Sequence, residues 1–149
     1  MTHSFSLADL NSILHLAPFH QWLGLRAAEI AKNSITIEVP WRKEFVSNPQ
    51  IEATHGGILA SLIDLAGLYT IIVAGGSVSA TADLHVDYHR AALPGTLIVK
   101  TQVLKLGSCV STARATIHDT DEKILASGRG AYIAGSTNAA TTGGSAVLQ

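Results

Sequence analysis

One long apolar segment, from Ile58 to Val73, constrains the fold of this chain more than any other feature of its sequence. Apolar residues lie around nearly the whole circumference of the helix that this segment would form, so we expect the helix to be buried on most sides. Gly75-Gly76-Ser77 follows the segment and supplies a helix stop. The rest of the chain must therefore provide the surface that covers this helix.

Four strand-like segments after the helix are the main candidates for that cover. They run from Ser79 to His89, Thr96 to Leu106, Val110 to Asp119 and Ile124 to Ala134. Short, turn-rich separators between them favour antiparallel hairpins in the second half of the chain. We therefore predict an α+β domain in which an antiparallel β-sheet wraps around one long central helix.

The segments before the helix are weaker in pattern. Leu7 to Leu16 has helical spacing of its apolar residues, with Ser6 as N-cap, and Pro18 marks its end. Ile35 to Val39 alternates with period two and predicts a strand. Arg42 to Thr54 carries an Asn-Pro turn signal and no sustained period, so we predict a loop that leads into the helix.

Length and composition indicate a single domain that hides part of its surface in an oligomer. The 149 residues suit one domain, and 47% of them are hydrophobic while only 14% are charged. Residues 136–149 are rich in Thr, Ala, Gly and Ser, and they end in a sequence similar to a viral cysteine-protease site. We predict a domain over 1–135, followed by a disordered tail or cloning remnant over 136–149.

The same numbers argue against several classes of protein. A net charge of -1 argues against a nucleic-acid binder, which needs a basic surface. Cys109 is the only cysteine, so an internal disulfide and a Cys-rich metal site are excluded. Polar residues interrupt the apolar stretch, which is too short to span a bilayer, and the N-terminus does not resemble a signal peptide. We therefore expect a cytoplasmic protein without membrane partners.

His55-Gly56-Gly57 stands directly before the long helix. Glycines let a ligand approach the backbone closely, and the first N–H groups of a helix lack partners within the helix. Such groups can bind a carbonyl oxygen that becomes negative during acyl transfer. The alternative is that the two glycines only permit a tight turn.

Asp64 lies in the middle of the helix, between Ile63 and Leu65. An unpaired carboxylate is costly in such an apolar position, and acids with shifted pKa values concentrate at catalytic sites. The alternative is a structural carboxylate that accepts hydrogen bonds from neighbouring hydroxyl or backbone N–H groups.

Together these residues resemble a known family. His-Gly-Gly with an acid on the following helix is similar to the phenylacetic-acid-degradation type (PaaI-like) thioesterases of the hotdog superfamily. The resemblance covers roughly residues 23–134 and includes the strand Thr81 to Arg90, Pro94-Gly95, Leu106-Gly107-Ser108 and Ser127 to Gly130. It implies a hotdog fold and an enzyme that hydrolyses an acyl-CoA or acyl-carrier thioester without a metal or other cofactor.

The resemblance also implies roles for the residues around the thioester. Asp64 would be the nucleophile or the general base, and the Gly57 N–H would polarise the thioester carbonyl. His55 would support this loop and contact the thioester, and Gly56 would border the substrate. Thr81 matches a hydroxyl that helps to hold the attacking water.

Further positions matched by the resemblance concern the amide and the CoA. The family uses an amide side chain before the His, and here Asn48 and Gln50 flank the expected position, which Pro49 occupies. Asn48 and Gln50 are therefore both candidates. Arg90 matches a residue that meets CoA phosphates, and Gly107-Ser108 matches a loop that borders the CoA.

The spacing of Gly57 and Asp64 gives a separate argument for a dimer. Seven residues of helix separate them by about 10 Å along the axis. A base and an oxyanion donor must both lie about 3 Å from the reacting atoms. A two-fold axis that brings Gly57 of one chain near Asp64 of another would satisfy both, which predicts a homodimer or homotetramer with active sites at the dimer interface.

Three other interpretations stay open. His55 and Asp64 could form the His–acid pair of a hotdog dehydratase or hydratase, or the chain could be a non-catalytic acyl-CoA-binding protein. Asp83, His85, Asp87 and His89 share one face of a predicted strand and could bind a metal. Simple strand alternation explains that pattern better, so we predict a solvated or interface face and no metal.

Overall fold

A computed structural model describes residues 4–136 of the chain. The predicted tail over 136–149 lies, except for Ser136, outside the described residues. The predicted domain over 1–135 is described from residue 4 onward.

Three helices, eight strands and one 3-10 turn make up the described chain. In chain order they are α1 (Leu7–Leu14), α2 (Pro18–Leu23), β1 (Arg26–Ala31), β2 (Ser34–Val39), the 3-10 turn (Lys43–Phe45), β3 (Val46–Asn48), β4 (Ala53–Thr54), α3 (Gly56–Val73), β5 (Ala80–Tyr88), β6 (Leu97–Lys105), β7 (Val110–His118) and β8 (Ile124–Ile133). Six strands form one antiparallel sheet in the order β1-β2-β6-β7-β8-β5. Strands β3 and β4 pair separately.

Helix α3 lies across this sheet and contacts β2, β5, β6, β7 and β8. Ten of its 18 residues are buried, as the apolar circumference predicted. The expectation that this segment is too short and too polar to cross a membrane is wrong, because α3 suffices in length and composition; more than half of it is, however, buried inside the domain. The prediction of an α+β hotdog fold with one wrapped helix is confirmed.

The region before α3 contains more strand than the sequence predicted. The single strand expected at Ile35–Val39 is the second half of the β1–β2 hairpin, whose turn holds Asn33 at φ 60. A register shift between Ala27 and Glu29 interrupts the period-two alternation of β1, so the sequence pattern did not predict this strand. The predicted loop 42–54 contains the short β3–β4 pair, whose first strand ends at Asn48.

The remaining boundaries agree with the sequence patterns. Ser6 caps α1 through a capping box with Asp9. The four predicted strands after α3 are present with ends that differ by at most one residue, but β5 pairs with β8 and not with β6. Strand β5 thereby becomes an edge strand of the sheet.

A buried tyrosine fixes α3 on the sheet. Tyr132 on β8 is 0% exposed, and its hydroxyl donates to the Asp64 carbonyl oxygen at 2.9 Å. Burial and the neighbouring Asp64 charge raise the pKa of Tyr132, so the hydroxyl stays a donor. A Cβ added at Gly67 or at Gly130 would overlap this hydroxyl. The two glycines therefore leave the space that the tyrosine occupies.

We expect Gly67→Ala to destabilise the protein, although Ala ordinarily stabilises a helix relative to Gly by about 1 kcal/mol. The added methyl group would displace the Tyr132 ring in a filled core, which typically costs about 1–3 kcal/mol. Urea unfolding measures the change in the free energy of unfolding. The same substitution in a Tyr132→Phe background should cost less, because the overlapping oxygen is gone; equal losses in both backgrounds would contradict the packing argument.

Candidate active site

His55 is the N-cap of α3, and its ring holds the first turn. Its Nδ1 accepts a hydrogen bond from the Gly57 backbone N–H at 2.7 Å. An imidazole nitrogen that accepts is unprotonated, so the neutral ring carries its proton on Nε2. The His55 backbone N–H donates to the Phe45 carbonyl at 2.7 Å, which ties this turn to the preceding segment. The side chain of His55 is exposed, and its Nε2–H is available to a ligand.

Aromatic rings lie directly against both glycines of the motif. A Cβ added at Gly56 would lie 3.1 Å from the Tyr88 ring, and a Cβ at Gly57 would lie 2.9 Å from His55 Nδ1. The Tyr88 hydroxyl also donates to the Gly56 carbonyl oxygen at 2.9 Å. The glycines are thus positions of close approach as well as turn residues.

Asp64 is half-buried, and the structure brings it together with Thr81. The Thr81 hydroxyl donates to Asp64 Oδ1 at 2.8 Å. Burial raises the pKa of Asp64, and the hydrogen bond from Thr81 opposes that rise. Thr81 and Tyr132 are directly paired across β5 and β8, so neighbouring hydroxyl groups contact the side chain and the backbone of Asp64.

The amide candidates, Asn48 and Gln50, are both exposed at the end of the β3 strand. Asn48 Oδ1 accepts a hydrogen bond from the Gln50 backbone N–H at 3.0 Å, which caps the local turn. This contact gives Asn48 a structural task, and the assignment of a catalytic or binding role to either residue stays a prediction.

Arg90 lies between two surface cavities. The first, of about 430 Å³, reaches from Gly56 past Tyr88 to Arg90. The second, of about 370 Å³, continues from Arg90 to Lys123 on the β7–β8 turn. Arg90 Nη1 donates to the Ile124 carbonyl at 2.8 Å, which holds the guanidinium at this junction.

Gly107 and Ser108 lie at the opposite end of the sheet from Arg90. The Gly107 N–H donates to Ser111 Oγ at 3.0 Å. Ser111 pairs with Tyr132, and Tyr132 pairs with Thr81, so this turn shares a row of the sheet with Thr81. The predicted site residues thus divide into two groups within one chain.

The face of β5 that carries alternating acids and histidines is exposed. Its side chains contact one another and side chains of β8. Arg129 contacts Asp83 at 2.9 Å, and His85 contacts Asp87 at 3.1 Å. His89 contacts Ser127 Oγ at 2.7 Å. Across residues 4–136, no group of three His, Cys, Asp or Glu side chains is arranged to hold a metal ion.

Sequence reasoning missed Tyr88 and Tyr132 as site residues. Both donate to backbone carbonyl groups of α3, at Gly56 and at Asp64. Every residue has a backbone carbonyl, so a side chain that hydrogen-bonds to one leaves no pattern of residue types in the sequence. The only available signal was the set of glycines, which the two tyrosine side chains contact.

Comparisons with known proteins show the family and the fold of this chain. The family model of the thioesterase superfamily matches residues 52–126, about half of the chain. A solved structure of a thioesterase-superfamily protein is 41% identical, with a TM-score of 0.81, over 85% of this chain and 96% of its own.

Two further relatives are informative. The medium/long-chain acyl-CoA thioesterase YigI of Salmonella typhimurium is 25% identical over 135 residues, which cover 79% of this chain and 86% of the relative. The Escherichia coli PaaI protein, from the phenylacetic acid degradation operon, is 20% identical, with a TM-score of 0.76, over 88% of this chain and 97% of its own. The PaaI likeness shows a shared fold.

The raised pKa of Asp64 predicts a pH-dependent cost of folding. Because the folded state holds the Asp64 proton more tightly than the unfolded chain, ionisation disfavours folding as the pH rises through the raised pKa. The cost is absent below the unfolded pKa of about 3.9. We expect Asp64→Asn to gain stability relative to the natural protein between about pH 4 and 7, measured by urea unfolding. The exposed Asp121→Asn controls for net charge, and a difference independent of pH would contradict the argument.

Proposed function

Because this chain belongs to the thioesterase superfamily, we propose that it hydrolyses acyl-CoA thioesters with Asp64 as base or nucleophile and the Gly57 N–H as oxyanion donor. The chain is a PaaI-like hotdog thioester hydrolase. The proposal rests on the half-buried Asp64 carboxylate. Asp64 lies on α3, the helix that His55 caps, and its carboxylate accepts a hydrogen bond from the Thr81 hydroxyl on β5.

Asp64 can serve the reaction in two ways. As general base it takes a proton from water, the hydroxyl oxygen adds to the thioester carbon, and the C–S bond breaks to release CoA. As nucleophile it forms an acyl anhydride and expels CoA thiolate, and water then hydrolyses the anhydride. Both routes benefit from burial, because a carboxylate with a raised pKa is a better proton acceptor and a less solvated nucleophile. The Thr81 hydroxyl orients the carboxylate in either route.

The start of α3 supplies the second requirement of the reaction. Negative charge develops on the thioester oxygen as water or carboxylate attacks, and the N-terminal N–H groups of a helix stabilise such charge. The Gly57 N–H now donates to His55 Nδ1. In the proposed reaction the thioester oxygen shares or replaces that acceptor.

The division of the site along β5 supports a dimer. Thr81, next to Asp64, and Tyr88, next to Gly56, lie at the two ends of the strand, separated by about 20 Å. The Gly107-Ser108 turn shares a sheet row with Thr81, while Arg90 follows Tyr88. One chain therefore offers the base at one end and the oxyanion donor with the phosphate-binding candidate at the other.

A second copy of β5 can bring the two ends together. β5 is an edge strand of the sheet, and such an edge is a template for pairing. If two copies pair antiparallel about a two-fold axis at His85, Tyr88 of one chain lies opposite Ala82 of the other and beside its Thr81. Each composite site would then combine Gly57, Tyr88 and Arg90 of one chain with Asp64 and Thr81 of its partner.

The two cavities that meet at Arg90 support CoA as the thiol part of the substrate. They run from the start of α3, where the thioester carbonyl is proposed to bind, past Tyr88 to Arg90 and Lys123. The guanidinium of Arg90 suits a phosphate, and Lys123 adds a second cation nearby. The acyl-CoA thioesterase relative is consistent with this substrate class.

Replacement of Asp64 by Asn should abolish catalysis without unfolding the protein. The amide keeps the shape of the side chain and removes the base, so kcat should fall by about 100-fold or more. Release of free thiol from acyl-CoA, measured with a thiol reagent, reports the activity. Asp83→Asn, on the exposed face of β5, is the matched control and should retain turnover. Turnover close to that of the natural protein in Asp64→Asn would falsify the assignment.

Mixed dimers test the composite site. Chains with Asp64→Asn and chains with Gly57→Pro, which removes the N–H, should each be inactive as homodimers. In a heterodimer one site combines both defects and the other has neither, so half of the sites should work. Co-expression with two affinity tags isolates the heterodimer, and circular dichroism checks the fold of each parent. A folded heterodimer with no activity above the parents would show that each site lies within one chain.

A further inference from the structure

We propose that Tyr88 is a positioning residue whose hydroxyl orients and polarises the peptide group that carries the oxyanion donor. The inference rests on the proposed function, because it takes the Gly57 N–H as that donor. Tyr88 itself lies one step away from the reacting atoms and acts through the backbone.

The geometry of one peptide group links Tyr88 to Gly57. The Gly56 carbonyl and the Gly57 N–H belong to the same planar peptide unit and point in opposite directions. The Tyr88 hydroxyl donates to the Gly56 carbonyl oxygen at 2.9 Å. A contact that fixes the direction of this carbonyl also fixes the direction in which the N–H points.

The same contact strengthens the N–H as a donor. As the first residue of α3, Gly56 also offers its carbonyl to the helix hydrogen bond of the following turn. A second donor on that oxygen polarises the peptide unit, and such cooperative strengthening is on the order of 10–30% per bond. The Gly57 N–H therefore carries more positive charge toward a developing oxyanion.

Because both residues of the Gly56–Gly57 peptide are glycines, side chains outside the peptide have to fix its orientation. Glycine allows close approach but has the largest backbone freedom, so two in succession make a pliable start to a helix. His55 holds the N–H side of the peptide through Nδ1, and Tyr88 holds the carbonyl side. A Cβ at Gly56 would lie 3.1 Å from the Tyr88 ring, so any other residue would push the ring away from this contact by a few tenths of an ångström.

The exposure of Tyr88 argues against a role in simple packing. In the single chain the residue is 56% exposed, so its ring gains little from packing within that chain, yet its hydroxyl points inward to the backbone of α3. Tyr132 provides a comparison, because it is fully buried and its hydroxyl bonds the same helix two turns later.

The test uses the vibrational frequency of a bound thioester. In the Asp64→Asn background, where turnover is blocked, acyl-CoA with a ¹³C-labelled carbonyl is bound and its C=O stretch is recorded by infrared difference spectroscopy. Hydrogen bonding from the Gly57 N–H should shift the stretch to lower frequency. Adding Tyr88→Phe, which keeps the ring and removes the hydroxyl, should reverse a measurable part of that shift. Adding Tyr69→Phe, a matched loss of a hydroxyl that contacts Ile13 and His20 away from the site, should leave it unchanged.

Kinetics of the single variant provide the second measurement. With Asp64 intact, Tyr88→Phe should lower kcat by about tenfold with KM nearly unchanged, as expected for loss of one hydrogen bond that acts on the transition state. If Tyr88→Phe does not fold, Gly56→Ala provides the same test, because its methyl group displaces the Tyr88 ring while the tyrosine remains.

The outcomes separate the inference from the function on which it rests. A shifted stretch that Tyr88→Phe or Gly56→Ala leaves unaltered overturns the role of Tyr88 and keeps the oxyanion assignment. Absence of any shift in Asp64→Asn alone overturns the oxyanion assignment and the inference with it. A partial loss of shift in the Tyr88 variant, with the Tyr69 control unchanged, supports the inference.

Discussion

The burial of α3 by the sheet is the constraint on which the rest of the structure depends. A helix that is apolar on nearly every face has to be enclosed, and Asp64 is carried into the half-buried interior with it. Desolvation of a carboxylate costs free energy, and one hydroxyl from Thr81 offsets that cost only in part, because the pKa of Asp64 remains raised. The same enclosure that stabilises the fold thus raises the proton affinity of a carboxylate at a fixed position.

Two tyrosines convert this enclosure into a defined geometry. Tyr88 and Tyr132 reach from the sheet to backbone carbonyl groups of α3, at Gly56 and at Asp64. Backbone atoms of a helix move together, so two such anchors fix the direction of the helix start and the depth of the acid. Glycines beneath both rings leave room for these contacts. Glycine also makes the backbone more flexible, and the hydrogen bonds from the two hydroxyl groups restrict that flexibility.

The sequence predicted the elements whose periodicity is unbroken and missed those whose periodicity is interrupted. The boundaries of α3 and of β5 to β8 were predicted within two residues, because their burial patterns are long and regular. The β1 strand was missed since a register shift at Ala27–Glu29 interrupts its alternation. At the site, Asp64 stood out as a charge in an apolar helix, and the proximity of Thr81 was implied by the family resemblance. The roles of Tyr88 and Tyr132 could not be predicted, because their hydroxyl groups bond to backbone carbonyl oxygens, which every residue has.

Strand β5 connects the stability of the protein to its chemistry. It is an edge strand of the sheet, and an unpaired edge is a liability that proteins cover. Two side-chain hydrogen bonds join β5 to α3 at the two ends of the strand, from Thr81 to the Asp64 carboxylate and from Tyr88 to the Gly56 carbonyl. Antiparallel pairing with a second copy would satisfy the edge and, in the same step, place Asp64 of one chain beside Gly57 of the other. Within one chain these two residues are about 10 Å apart along the helix, too far to act together on a single carbonyl as the proposed reaction requires.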